Sequence, residues 1–428
     1  MKLQESRPLW YGTVPTSWNI KPLKYITFQN QKVLFETTRP DYAFRYVDIG
    51  SVNSEIGISE YKEMVFADAP SRARRVVSVG DTIISTVRTY LRAIAFIEDA
   101  KDVVVSTGFS VLSPKSFIYP KYLYYFCVSD AFVEDVNKYS SGVTYPAISD
   151  DLLGRLEIAF PDIMEQEAIV AFLDNECRKY DSVIEDLESQ IACLKHYRRQ
   201  TINEAVTRGL RANVKTKASG NPFVGEIADT AEAIRFKYVA SIDADLVDPV
   251  KYAKMPQVSP ENIVSNMGEL VDVQTVEESS VDSWNQRFFK GQIIYSKIRP
   301  ALNKVTVAPY DGLCSADMYP ISTVLPTRYL MYYMLSDAFV LQTIDVSSIR
   351  VKMPKVNQEE MKNFIVVTHP QEEMEEIAEF LDKKCAVVDS LLKDKEAQLE
   401  QMKAQRESLI FEYVTGKKRV KEAATNGD

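Results

Sequence analysis

Two long stretches of the chain carry apolar residues at alternating steps of four and three. Between Met164 and Thr207, where no Pro or Gly occurs, they fall at Leu173, Cys177, Tyr180, Ile184, Leu187, Ile191 and Leu194. Between Glu373 and Thr415 they fall at Leu381, Cys385, Val388, Leu392, Leu399 and Met402. That spacing predicts two helices, each with one apolar stripe of the kind that packs along another helix. At 1.5 Å per residue each would be roughly 65 Å long. A stripe of that length on an otherwise charged helix needs a partner, and each helix is the natural partner of the other. We therefore expect an antiparallel, intramolecular coiled coil.

Ahead of each helix the pattern changes. Short β-type runs such as RRVVSVGDTIIS and DVVVSTGFSVLS alternate with turn residues and predict sheet. They are followed by the aromatic segment YLYYFCVSDAFV from Tyr122, whose apolar residues Tyr122, Tyr125, Phe126, Phe132, Val133 and Val136 recur at helical spacing just after Pro120. Pro suits the first turn of a helix, so one helix buried on this stripe is expected here, with core packing preferred over base stacking.

The same segment occurs again as YLMYYMLSDAFV from Tyr329, 207 positions on. Matches continue on both sides. GDTIISTVRTYL from Gly80 parallels GQIIYSKIRPAL from Gly291, keeping Arg88/Arg299 and Leu91/Leu302 at a common offset of 211. AFLDNECRKYDSVI from Ala171 parallels EFLDKKCAVVDSLL from Glu379, and WYGTVPTSWNIKPLKYI from Trp10 is echoed by FVGEIADTAEAIRFKYV from Phe223, with Ala231 in place of Trp18. The chain is a tandem duplication with a period far too long for a solenoid, which means duplicated domains.

Composition narrows what such a protein does. A chain of 428 residues with 46% hydrophobic and 26% charged residues is expected to be globular with two or more domains. No signal-peptide core or membrane-length apolar run is visible, so a cytoplasmic protein without a membrane partner is expected. Five scattered cysteines and two histidines argue against zinc and structural disulfides. There is no Gly-x-Gly, no Walker A sequence and no Pro-Pro-Tyr-type methyltransferase motif. NPFV at Asn221 lacks the second proline such a motif needs, and PDIMEQE at Pro161 reads as a helix start.

The stretch IAFPDIMEQEAIVAFLDNECRKYDSVIEDLESQIACLKHYRRQTINEAVTRGL resembles the conserved helical region of the specificity subunits of type I restriction-modification systems. WYGTVPTSWNIKPLKYI resembles the opening of their target recognition domains. The step from Pro161 through Glu165-Gln166 to Phe172-Leu173-Asp174 carries the likeness, and the second copy departs from it by placing Met374 where Gln166 stands. The resemblance implies an α+β fold of two target recognition domains related by a pseudo-twofold and separated by two antiparallel helices. The boundaries it implies are recognition domains at 1–162 and 213–370, a central helix at 163–212, a distal helix at 371–420 and a tail at 421–428. It also implies that the chain is no enzyme but a non-catalytic reader of bipartite, asymmetric double-stranded DNA, with no catalytic, cofactor or metal residues of its own. Its partners would be two modification (methyltransferase) subunits, which bind S-adenosylmethionine, and restriction subunits, which use ATP and Mg.

Net charge is −9 with a pI of about 5.2, so DNA contact must come from local patches. Arg72, Arg74, Arg75, Arg88 and Arg92 lie close together with Asp81 as the one acid among them, and Arg287, Lys290, Lys297, Arg299 and Lys304 lie together with none. Arginine on guanine and Asn or Gln on adenine are the usual base contacts, which adds Asn303. The loops SSGVTYPAIS and SSIRVKMPKV before the helices offer Ser141, Thr144, Tyr145, Arg350 and Lys352. Each of these residues also fits a solvated surface position; Arg88 and Arg299 stand out because both copies retain them. The acidic faces of the helices are left for protein partners. Two other readings remain open, the recognition subunit of a differently organised restriction-modification system and a duplicated coiled-coil scaffold that binds only proteins.

Overall fold

The computed structural model describes residues 3–5, 12–54, 56–142, 144–348, 350 and 352–420. Trp10 and the tail at 421–428 lie outside them. The chain forms two compact units, one of Met1–Asp186 with Leu399–Asp428, the other of Leu187–Gln398. Each unit holds one recognition domain together with half of each long helix.

In the first unit β1 (Thr27–Gln29), β2 (Ala43–Val47), β3 (Lys62–Val65), β4 (Ala73–Val76), β5 (Thr82–Ser85), β6 (Ile94–Phe96), β7 (Val103–Ser106) and β8 (Phe109–Pro114) make two four-stranded sheets. Their orders are β6-β5-β8-β1 and β3-β2-β7-β4. Only the β2/β7 pair is parallel among them. Strands β5 and β7 are buried on both faces. A core of Val47, Ile83, Ala95, Val103, Val105, Phe109 and Val111 draws on both sheets.

Two helices cover the first sheet, α1 (Pro120–Val128) and α2 (Asp130–Tyr139). The single helix expected over the aromatic segment is therefore two. Ser129 adopts an extended backbone, φ −65° and ψ 143°, and its hydroxyl donates to the Phe126 carbonyl at 2.6 Å. A serine that turns back on a carbonyl competes with the helix and ends it. The aromatic residues are core as expected, with Tyr122, Phe126 and Phe132 fully buried. Buried among them is the first half of α3 (Ile163–Arg208) through Ile169, Val170, Leu173 and Cys177.

The second unit repeats this plan. Strands β9 (Ala240–Ile242), β10 (Leu246–Val247), β11 (Pro256–Val258), β12 (Gln274–Thr275), β13 (Asn285–Phe288), β14 (Ile293–Ser296), β15 (Val305–Val307), β16 (Gly312–Ser315) and β17 (Met318–Thr323) form sheets ordered β9-β17-β14-β15 and β10-β13-β16-β11-β12. The second sheet matches its counterpart with the edge strand β10 added, and β11/β16 is again parallel. Helices α4 (Thr327–Leu335) and α5 (Asp337–Ser348) break at Ser336, whose hydroxyl donates to Tyr333 O at 2.6 Å. The last long helix is α6 (Gln371–Val414).

Within each unit the two helix segments run antiparallel. In the first, Phe172 packs on a tilted Tyr413 ring with centroids 4.5 Å apart, and Arg406 binds Asp181 at 2.7 Å. In the second, Arg198 binds Asp389 at 2.7 Å and Lys195 binds Glu396 at 2.8 Å. The duplication thus places an arginine of one helix on an aspartate of the other in both units. Leu173, Cys177, Leu187, Ile191, Leu381, Cys385, Val388 and Leu392 of the expected stripe are buried.

The aromatic segment also ties each domain to the helices. The Tyr122 hydroxyl donates toward Ala159 O at 2.9 Å and Val414 O at 3.1 Å, near the end of α6. Tyr329 does the same with Val367 O at 2.8 Å and Val206 O at 3.2 Å, near the end of α3. Tyr125 donates to Asp174 at 2.6 Å and Tyr332 to Asp382 at 2.8 Å, so the aspartate of each Phe-Leu-Asp step anchors a domain. Gln166 is buried and bonds Tyr119 N, Phe117 O and Pro161 O; Met374 fills its place with an apolar side chain, also buried. Among the described residues no helix is long and apolar enough to cross a membrane.

Candidate nucleic-acid interface

The connection from β5 to β6 is a one-turn 3-10 helix, Thr89–Leu91, bounded by two residues in the left-handed region: Arg88 at φ 52° and Arg92 at φ 51°. The connection from β14 to β15 repeats it as Pro300–Leu302 between Arg299 at φ 47° and Asn303 at φ 40°. A side chain in this region costs roughly 1 kcal/mol or more, which glycine would avoid. Both copies nevertheless keep arginine at the first position. Its side chain is exposed in each.

The loop before each long helix folds onto this turn. In the first unit Arg88 N donates to Pro146 O at 2.7 Å, Ile148 N to Thr86 O at 2.9 Å, and Val87 pairs with Ala147. Ser141 and Ala147 exchange two backbone bonds of 2.9 Å, closing the loop into a narrow hairpin. Gly142 at its bend has φ +114°, and a Cβ there would meet Tyr145 O at 3.0 Å. In the second unit Arg299 N donates to Pro354 O at 2.8 Å, Val356 N to Lys297 O at 2.9 Å, and Ile298 pairs with Lys355. The two features singled out separately in the sequence, basic turn and polar loop, thus form one surface in each domain.

Not every basic residue is on that surface. Arg75 bonds Asn30 at 2.7 Å, the Phe109 carbonyl, and Asp150 at 2.8 Å, tying the sheets to the loop end. Arg92 binds Asp130 at 2.5 Å and Glu407 at 3.2 Å. Arg72 binds Asp48 at 2.9 Å, and Arg74 lies over the Phe66 ring at 4.8 Å. Arg287 stacks over Phe289 at 4.7 Å, and Lys290 is exposed beside it. Lys297 donates to Ala316 O at 2.7 Å, and Lys304 to Pro260 O at 2.6 Å. Asn303 is buried, and Arg350 braces its own loop through Lys355 O at 2.7 Å and Glu360 at 2.5 Å. Ser141, Thr144 and Lys352 are exposed.

The two patches correspond only in part. Ser106 and Ser315 occupy equivalent sheet positions, and from them the registers pair Arg75 with Val105 but Gln286 with Cys314. Gln286, not Arg287, therefore stands where Arg75 stands. Arg88 and Arg299 remain the matched pair, and among the described residues neither makes an ion pair with a carboxylate. Arg88 lies over the exposed Tyr145 ring at 4.5 Å. Sequence reasoning does not single out Met353. The match of Tyr145-Pro146 with Met353-Pro354 is the signal that finds it, and Met353 is exposed beside Arg299's loop partner.

Two strained turns, each capped by a loop and each opening on an exposed arginine without a carboxylate partner, suit phosphate or guanine contact. The type I restriction modification DNA specificity domain matches residues 20–191 and again 228–401. The chain is 29% identical over 311 residues to the type I restriction enzyme EcoDI specificity subunit of Escherichia coli, a match covering 69% of this chain and 70% of that one. It is 20% identical to the type I restriction enzyme MjaIX specificity subunit of Methanocaldococcus jannaschii, over 96% of both chains. A solved chain described as "Structural basis underlying complex assembly and conformational transition of the type I R-M system" shares the fold at a TM-score of 0.67. It is 20% identical and is matched over 94% of this chain and 99% of that one. With its specificity domain present twice over nearly the same span as the duplication, this chain belongs to the type I restriction-modification DNA specificity family.

Proposed function

We propose that the chain acts as the DNA-sequence specificity subunit of a type I system by applying its two arginine turns to the two halves of a bipartite, asymmetric duplex target. The observation that supports this most is the retention of Arg88 and Arg299 in one strained backbone geometry, exposed and without a carboxylate partner. Arg side chains contact phosphates or take guanine O6 and N7 together, while the proline loops beside them fit a groove. The differing residues around the shared arginines support half-sites of different sequence.

In this reading the chain is not itself catalytic. Two modification subunits carry S-adenosylmethionine and methylate adenine, and restriction subunits carry ATP and Mg. Docking of those subunits falls to the acidic helix faces, where duplex DNA is repelled. Mapping methylated adenines in DNA from cells with and without the gene tests the whole reading. Loss of one split motif is expected, and an unchanged methylome would sink it.

A further inference from the structure

The two arginine turns have the same backbone but different neighbours. Over Arg88 lies the Tyr145 ring, 4.5 Å from the guanidinium carbon. The residue in the same pre-proline place of the second unit is Met353, and no aromatic ring stacks on Arg299 among the described residues. Both Tyr145 and Met353 are more than half exposed, at 56% and 67%, so neither is there to fill a core. Tyr145 is held in place by its loop: Pro146 accepts from Arg88 N, and the Ser141/Ala147 hairpin closes around it.

A guanidinium stacked on a ring keeps its planar edge free while losing rotation out of that plane. Bidentate hydrogen bonding to guanine needs that edge and that fixed plane. Arg299 keeps the reach but not the clamp. Other solvent-facing differences do not supply one. Arg92 is bound to Asp130 and Glu407, and its counterpart Asn303 is buried.

We propose that Tyr145 is a positioning residue that clamps Arg88 for base reading, and that Met353 leaves Arg299 unclamped, so the two half-sites are read with different stringency. This rests on the proposed DNA contact of the arginine turns. An exposed cation–π contact of about 0.5–1 kcal/mol corresponds to roughly two- to fivefold in discrimination.

The test is selection of duplexes from a random-sequence pool by the full chain assembled with its modification subunits, comparing wild type with Tyr145→Phe, Tyr145→Met, Met353→Tyr and Arg88→Ala. Tyr145→Phe should retain the wild-type motif. Tyr145→Met should relax one base pair of one half-site by two- to fivefold, leaving the other half unchanged, and Met353→Tyr should sharpen one pair of the other half. If Arg88→Ala relaxes a base pair but Tyr145→Met selects the wild-type motif, the clamp is overturned and the arginine contact stands. If Arg88→Ala also selects the wild-type motif, the clamp and base reading by Arg88 are both overturned.

Discussion

An arginine held in the left-handed region has its side-chain direction set by the backbone before any ligand arrives. At Arg88 and Arg299 that direction is outward, and the adjoining proline loop holds the turn through two backbone bonds in each domain. If these side chains meet phosphates, replacing either with alanine should lower the slope of log affinity against log salt by about one. Slopes unchanged in both variants would remove the two residues from the phosphate contacts. His369 carries a prediction of a different kind. It is buried, its Nε2 lies 3.1 Å from Val206 O, and burial pushes its pKa below the ordinary 6.5. The unfolded chain therefore takes up a proton at higher pH than the native one. Stability should be constant above about pH 6.5 and fall as pH drops from there toward the native pKa. His369→Gln, which keeps a donor for Val206, should flatten that fall. Denaturant unfolding of both proteins between about pH 7.5 and 5 checks it, and parallel curves would contradict it.

At the scale of elements, the duplicated Arg–Asp contacts between α3 and α6 are unequal. Arg198 is 6% exposed and also donates to the carbonyls of Asn266 and Met267, whereas Arg406 is 18% exposed and its Asp181 is 45% exposed. Removing one partner of a buried pair leaves a charge without compensation, at about 3–5 kcal/mol, while a solvated pair is worth about 1 kcal/mol or less. Asp389→Ala should accordingly lower the denaturation midpoint much more than Asp181→Ala, and equal losses would show that both pairs are effectively solvated. The tyrosine anchors act at the same scale. Tyr329→Phe strips a donor from two buried carbonyls, Val206 and Val367, and should cost about 1–3 kcal/mol in denaturant titrations without altering the secondary structure seen by circular dichroism.

At the scale of the molecule, compactness and chain order divide the protein differently. The core of the second unit includes Ile202, Ala205 and Val206 from α3 and Met374, Ile377, Leu381 and Cys385 from α6. A fragment of residues 213–370 lacks all seven and would expose the apolar surface they cover. It should be poorly soluble or lack a cooperative melt. A fragment of residues 187–398 retains them and should unfold in one transition in calorimetry. Cooperative folding of the shorter piece would mean that the helix halves are dispensable to that core.

Periodicity and repetition were legible in the chain itself. The four-three stripe set the two helices, and the repeated letters at Tyr122 and Tyr329 revealed the duplication, because side-chain spacing along a helix is a local property. The serine break at Ser129 was hidden, since Ser129 and Asp130 look like any helical pair until the hydroxyl is seen to return to Phe126 O. Among the candidate contacts, charge alone could not sort Arg88 from Arg75. Both are arginines in the same basic stretch, yet one faces solvent over Tyr145 and the other ties Asn30, Phe109 and Asp150 together. That separation depends on residues up to 75 positions apart meeting in space. The sequence by itself determined the duplicated, helix-linked architecture; which arginines are left exposed without a carboxylate partner was decided only by tertiary structure, because a charge is free or engaged according to its neighbours in space.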